Sequence, residues 1–155
     1  MNPAVARSHF GALALAVADE IANASATHSP SGPAAAAMVF LFLDPGLSIG
    51  GLAERIRLSH AGTVRLIDRL ERKRLVERRR NDSDRRARFI YLTGSGEEMM
   101  SAVMTARDDA ISGYLSALSP DELSTLGAMS EHLLHIKEFD GNSAFGKIRF
   151  PVRPK

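Results

Sequence analysis

Residues 47–96 read LSIGGLAERIRLSHAGTVRLIDRLERKRLVERRRNDSDRRARFIYLTGSG, and this stretch decides the fold. Ser48 precedes Ile49, Leu52, Ala53 and Ile56, whose three- and four-residue spacing predicts a short helix with a serine cap. Position 51 is Gly, so the reciprocal capping box is absent. Ser59 caps a second helix over about 60–73, with Val64, Leu66, Ile67 and Leu70 as its apolar positions. Its other face carries His60, Thr63, Arg65, Arg69 and Arg72. Leu75–Arg79 and Arg88–Leu92 are strand-like runs around the polar tip Asn81-Asp82-Ser83-Asp84, which predicts a hairpin. Two short helices followed by a hairpin make a winged helix-turn-helix.

Helices are expected on both sides of this module. Phe10, Leu13, Val17, Ile21 and Ala24 recur at helical spacing within a first helix over about 4–27. Arg7 before the apolar run Phe10–Ala18 also has the look of a short signal peptide, but Asp19 and Glu20 interrupt it, and the amphipathic reading is preferred. A cytoplasmic chain is therefore expected. No run reaches the roughly 18 apolar residues of a spanning helix. Pro33 opens the apolar AAAAMVFLFL, which should be buried and should end at Asp44-Pro45-Gly46. A helix over about 95–117 carries Met100, Val103, Met104, Ile111, Tyr114, Leu115 and Leu118. Ser119-Pro120-Asp121-Glu122 starts another, with Leu123, Leu126, Met129, Leu133 and Ile136, to about residue 137. In the tail, 138–155, alternating Ile148, Phe150 and Val152 predict an extended arm. The expected class is mainly α with a small β-hairpin wing. The outer helices must bury their stripes, and a second copy of the chain is the simplest partner.

The 155 residues are 45% hydrophobic and 25% charged, an ordinary globular composition that argues against disorder, a collagen-like repeat and a membrane protein. Cysteine is absent, which excludes disulfides, thiolate metal sites and a thiol redox switch. Net charge is only +2, but residues 52–92 hold thirteen basic residues against six acids, a local balance of +7. Elsewhere seven basic residues face twelve acids, a balance of −5. Twelve of the thirteen cations are Arg, whose planar fork suits phosphate and guanine edges. A solvated, salt-bridged surface explains charge in general but not this segregation.

An α-helix fits the DNA major groove, and its first turns reach base edges. Ser59, His60, Ala61, Gly62 and Thr63 occupy those turns, and all are small or hydrogen-bonding. Arg65 is assigned to a base edge or a nearby phosphate, and Arg69 to phosphate. At the hairpin tip, Arg85, Arg86 and Arg88 beside Asp82 and Asp84 suit the minor groove, with Asp84 bracing Arg86. The plainer alternative is that Asp84 and Arg86 only stiffen the turn.

Three features in order resemble the MarR family of bacterial transcriptional regulators. They are LAERIRLS followed by TVRLIDRLE, then LVERRRNDSDRRA with its D-x-R pattern at Asp84 and Arg86, then Leu92-Thr93 with Gly94 and Gly96. The resemblance covers about residues 47–96, and the helix order on both sides agrees. It implies a single MarR-like domain over 1–155, with a winged-helix DNA-binding part at 34–93, dimerisation helices at 4–27 and 95–137, and the tail beyond. It implies a homodimer that binds double-stranded DNA at a pseudo-palindromic operator, usually as a repressor. Relief by a small, often aromatic or phenolic, effector is implied too. By this match Ser59, His60, Thr63, Arg65 and Arg69 are recognition-helix contacts, Arg86 is the wing contact and Asp84 its brace. The missing cysteine rules out peroxide sensing through a thiol, and the tail matches no part of the pattern.

Other constellations weigh less. His132 and His135 are three apart with Glu131 and Glu138 near, but no third ligand is close in sequence, so no metal is assigned. Met99, Met100, Met104 and Met129 read as core packing before they read as a pocket. Phe10, Phe40, Phe42 and Tyr114 are the candidates for an effector pocket between helices. No nucleophile elbow, phosphate-cradling glycine loop or carboxylate pair is visible, so neither catalysis nor a cofactor is expected. Two further readings compete with a DNA-binding regulator. One is a winged-helix interaction module without DNA binding, and the other is a small-molecule sequestering protein.

Overall fold

A computed structural model describes residues 2–30, 32–80 and 88–139. The order is α1 (Pro3–Ser25), α2 (Pro33–Leu43), β1 (Leu47–Ser48), α3 (Ile49–Ile56), α4 (His60–Arg72), β2 (Val76–Arg80), β3 (Arg88–Leu92), α5 (Gly94–Leu115) and α6 (Pro120–Phe139). Most helix starts follow from one short polar side chain. Asn2, Ser48, Ser59 and Thr93 each accept a backbone N–H from the first turn of the helix they precede. At α6, Ser119 and Glu122 form a reciprocal box: the Ser119 N–H and hydroxyl donate to Glu122 Oε2, each at 2.8 Å. These hydrogen bonds hold the Glu122 carboxyl below its ordinary value, with the backbone N–H of Ser119 the larger cause.

Three strands form the sheet, in the order β1-β3-β2, all antiparallel. The sequence predicts only the hairpin of β2 and β3. The added strand is two residues long, pairing Leu47 with Ile90 and Ser48 with Phe89. A two-residue strand has no periodicity to read, and only its long-range partner specifies it. Gly46 leads into it at φ +83, with its N–H on Ile90 O at 3.1 Å. A side chain there would meet the Tyr91 hydroxyl at 2.7 Å, so glycine serves both the turn and the close approach.

α2 lies at the centre, as an all-apolar helix must. Its Ala34, Ala37, Met38, Phe40 and Leu41 are buried among Leu52, Leu66, Ile67, Leu70, Leu75, Val76, Ile90, Leu92, Met100 and Val103. Arg55 of α3 bonds Asp44 at 2.5 Å and lies 5.9 Å from the Phe40 ring centre, tying α3 to the end of α2. Both helices of the helix-turn-helix end alike. Arg57 and Arg74 adopt left-handed backbone, at φ 55 and 58. The next N–H then reaches back five residues, Leu58 to Ala53 O and Leu75 to Leu70 O, each at 3.1 Å.

The first half of α5 packs in this core, and α1 runs along α5. Among the described residues of α1 and α6, none is buried. Met129, expected in the core, is exposed on α6, whereas Met100 is fully buried and Met99 and Met104 pack against the core. The extended arm expected at 148–152 lies outside the described residues, and so does the rest of the tail from 140 onward.

Candidate nucleic-acid interface

α4 divides cleanly into two faces. Leu66, Ile67 and Leu70 are buried against α2 and α3, which fixes the helix in rotation and depth. Ser59 and His60 at the start of the helix are exposed, and so are Arg65, Arg69 and Arg72 along it. Ser59 Oγ accepts the Gly62 N–H at 3.1 Å, so one orphan donor of the first turn is satisfied by the cap. Thr63 is a correction. It has no solvent exposure, and its hydroxyl donates to Ser59 O at 3.0 Å. It therefore locks the first turn from inside and does not reach outward. The signal was in the spacing, since Thr63, Leu66, Ile67 and Leu70 recur at three, four and seven.

The wing strands stand beside α4. Arg78 of β2 reaches back to two acids on that helix, donating to Asp68 Oδ1 at 2.6 Å and to Glu71 Oε2. This clamp fixes the angle between wing and α4. Arg79 points to the other face, where it pairs with Glu77 at 2.5 Å and lies 4.7 Å from the Tyr91 ring centre. Residue-by-residue reading missed both roles, although Asp68 and Glu71 one turn apart on α4 were the available clue. Arg80 and Arg88 are exposed at the end of the ladder. Asp84, Arg85 and Arg86 lie outside the described residues.

The four aromatic candidates for an effector pocket do not converge. Phe40 is a core residue, 1% exposed. Phe10 on α1 and Tyr114 on α5 are exposed. Phe42 borders a recess of about 230 Å³ at the base of the wing, with Tyr91, Arg79 and Glu97. A larger cavity of about 490 Å³ opens between α1, α2 and α5, and none of the four lines it. Its walls include Ile21, Ala35, Val39, Val103 and Met104, with Ser25 and Arg107 as polar groups. The Ser25 hydroxyl is shielded and has no hydrogen-bond partner among the described residues. Helical periodicity cannot find such a site, because its walls come from three helices and are mostly small side chains. Among the described residues no group of three or more His, Cys, Asp or Glu is placed to hold a metal ion.

The comparisons with known proteins agree with this geometry. The model of the MarR family matches residues 31–87. The HTH-type transcriptional repressor MdtR of Bacillus subtilis is 30% identical over 94 residues, 61% of this chain and 61% of that protein. The match thus spans less than two thirds of that relative's length. A MarR family protein from Bacillus stearothermophilus superimposes with a TM-score of 0.78 at 22% identity, over 89% of this chain and 99% of that one. A mutant of MepR from Staphylococcus aureus, solved bound to an oligodeoxyribonucleotide, superimposes with a TM-score of 0.62 at 21% identity, over 83% of this chain and 95% of that one. The chain is thus similar to the MarR family in sequence over residues 31–87, and its helical frame is similar in shape to MarR-family structures.

Proposed function

We propose that this chain is a homodimeric, sequence-specific DNA-binding transcriptional regulator, a repressor released by a small ligand and acting in the cytoplasm. The observation that carries the reading is α4 itself. Its apolar face is fixed in the core while Ser59, His60, Arg65 and Arg69 are exposed. Two such helices about one helical turn apart read successive major grooves, and phosphate contacts by arginine supply the affinity. The tip residues Asp84, Arg85 and Arg86 are assigned to the wing's minor-groove contact, on the sequence pattern alone.

A second copy of the chain follows from the outer helices. Val5, Phe10, Leu13 and Leu15 of α1 and Leu123, Leu126, Met129, Leu133, Leu134 and Ile136 of α6 are all exposed. So large an apolar surface on two helices calls for a partner. The cavity between α1, α2 and α5 is the effector site in this reading, because it adjoins both the dimer-forming helix α1 and the central helix α2. A ligand there shifts the population toward dimers whose two α4 helices no longer match the groove spacing. No described helix is long and apolar enough to cross a membrane.

The test is a gel shift on DNA flanking the chain's own gene, with Arg65→Ala and Arg69→Ala beside the wild type. Both variants should bind more weakly at unchanged dimer mass, and wild-type affinity should fall steeply from about 50 to 200 mM salt. A flat salt response would favour an interaction module without DNA. Tight ligand binding with no effect on DNA would favour a sequestering protein.

A further inference from the structure

Four arginines lie on the wing strands, and two of them pair with no other described side chain. Arg78, Arg79 and Arg80 follow one another in β2, and Arg88 opens β3. Strand alternation puts Val76, Arg78 and Arg80 on one face, opposite Leu92, Ile90 and Arg88 respectively. Val76, Ile90 and Leu92 are buried, so this is the side of the sheet that faces the core and α4. On it, Arg78 takes both acids of α4, Asp68 and Glu71. Arg79, on the opposite side, is held by Glu77 and Tyr91.

Arg80 and Arg88 remain. They are direct partners in the ladder, both are exposed, and neither side chain pairs with another described residue. Like charges placed opposite each other destabilise an antiparallel pair. Among the described residues no acid pairs with either, and Arg78 holds Asp68 and Glu71. Directly opposed Cβ atoms are about 5 Å apart, which lets two guanidinium forks converge on the oxygens of one phosphate.

We propose that Arg80 and Arg88 form a two-arginine clamp for a single backbone phosphate of duplex DNA, on the α4 side of the wing at the tip end of its ladder. The clamp rests on the DNA-binding reading above and extends it to residues that read no base. A phosphodiester between the two forks turns a repulsive cross-strand pair into a bridged one. It also anchors the wing through a contact that is indifferent to sequence.

The experiment uses the full chain and a fluorescein-labelled, mixed-sequence duplex about three helical turns long, followed by anisotropy between about 50 and 200 mM salt. Arg80→Thr and Arg88→Thr should each weaken binding about tenfold at low salt. The double variant should be scarcely weaker than either single one, because all three lose the same bridged phosphate. In thermal melts without DNA, each single variant should melt no lower than wild type, and up to about 3 °C higher, as repulsion is relieved. Losses that multiply in the double variant would put the arginines on separate phosphates and overturn the clamp. Single variants that bind like wild type would overturn it while leaving the DNA-binding reading in place. A folded wild-type chain that ignores the duplex at low salt would remove that reading and the clamp together.

Discussion

Replacing Gly96 by Ala probes how closely α5 is seated on the root of the wing. A Cβ at this position would lie 2.1 Å from the Leu75 carbonyl oxygen and 3.3 Å from the Leu92 Cβ. Ordinary carbon–oxygen contact begins near about 3.3 Å, so helix or strand must retreat by roughly 1 Å. Three hydrogen bonds meet there. The Thr93 N–H donates to Leu75 O at 3.1 Å, the Thr93 hydroxyl to Arg74 O at 2.5 Å, and the Gly96 N–H to Thr93 Oγ1 at 3.1 Å. Overpacking together with one lost bond costs about 2–4 kcal/mol, of which alanine's better helix propensity returns up to about 1 kcal/mol. For a chain of this length that is a fall in Tm of about 3–10 °C, read by circular dichroism. Gly94→Ala is the control, because a Cβ there meets nothing within 4 Å. If Gly96→Ala melts as high as Gly94→Ala, the close approach of α5 to Leu75 is wrong, and with it the way the long helix carries the winged head.

Arg57→Gly should stabilise the chain by about 0.5–1 kcal/mol, because it removes a side chain from left-handed backbone; an unchanged urea midpoint would refute this. Arg78→Met should cost about 1 kcal/mol in the same titration, the Asp68 and Glu71 carboxylates being partly screened by solvent. Its salt slope for DNA should stay that of wild type, because Arg78 touches α4 and no phosphate; a shallower slope would count against that role. Glu122 sits below its ordinary value in the folded chain, so its contribution to the α6 cap is complete above the unfolded value of 4.5 and drains as pH falls through the folded one. Glu122→Gln should therefore flatten the loss of helical signal below about pH 4.5, and an unchanged acid profile would refute the assignment.

Much of the fold was legible because its determinants are local. Ser48, Ser59 and Ser119 mark helix starts with one side chain each, and the stripe Leu66, Ile67, Leu70 names the buried face of α4 without reference to any other element. The exposed members of the candidate interface, Ser59, His60, Arg65 and Arg69, are the complement of that stripe. Thr63 was misread because a polar residue was counted with the polar face, although its position belongs to the buried one. The aromatic quartet was misplaced because side-chain type says nothing about which helix faces meet.

From its own letters the chain settles helix caps, apolar periodicities, the hairpin runs and a basic module in an acidic frame. All of these act within a turn or two of backbone. Only the tertiary structure decides that Leu47 and Ser48 join the sheet, and that Arg78 belongs to Asp68 and Glu71 while Arg80 meets Arg88. It alone shows that the cavity is walled by α1, α2 and α5. Those outcomes turn on which distant segments come together, and identical arginines in one strand acquire different tasks only once a neighbouring element claims the first of them.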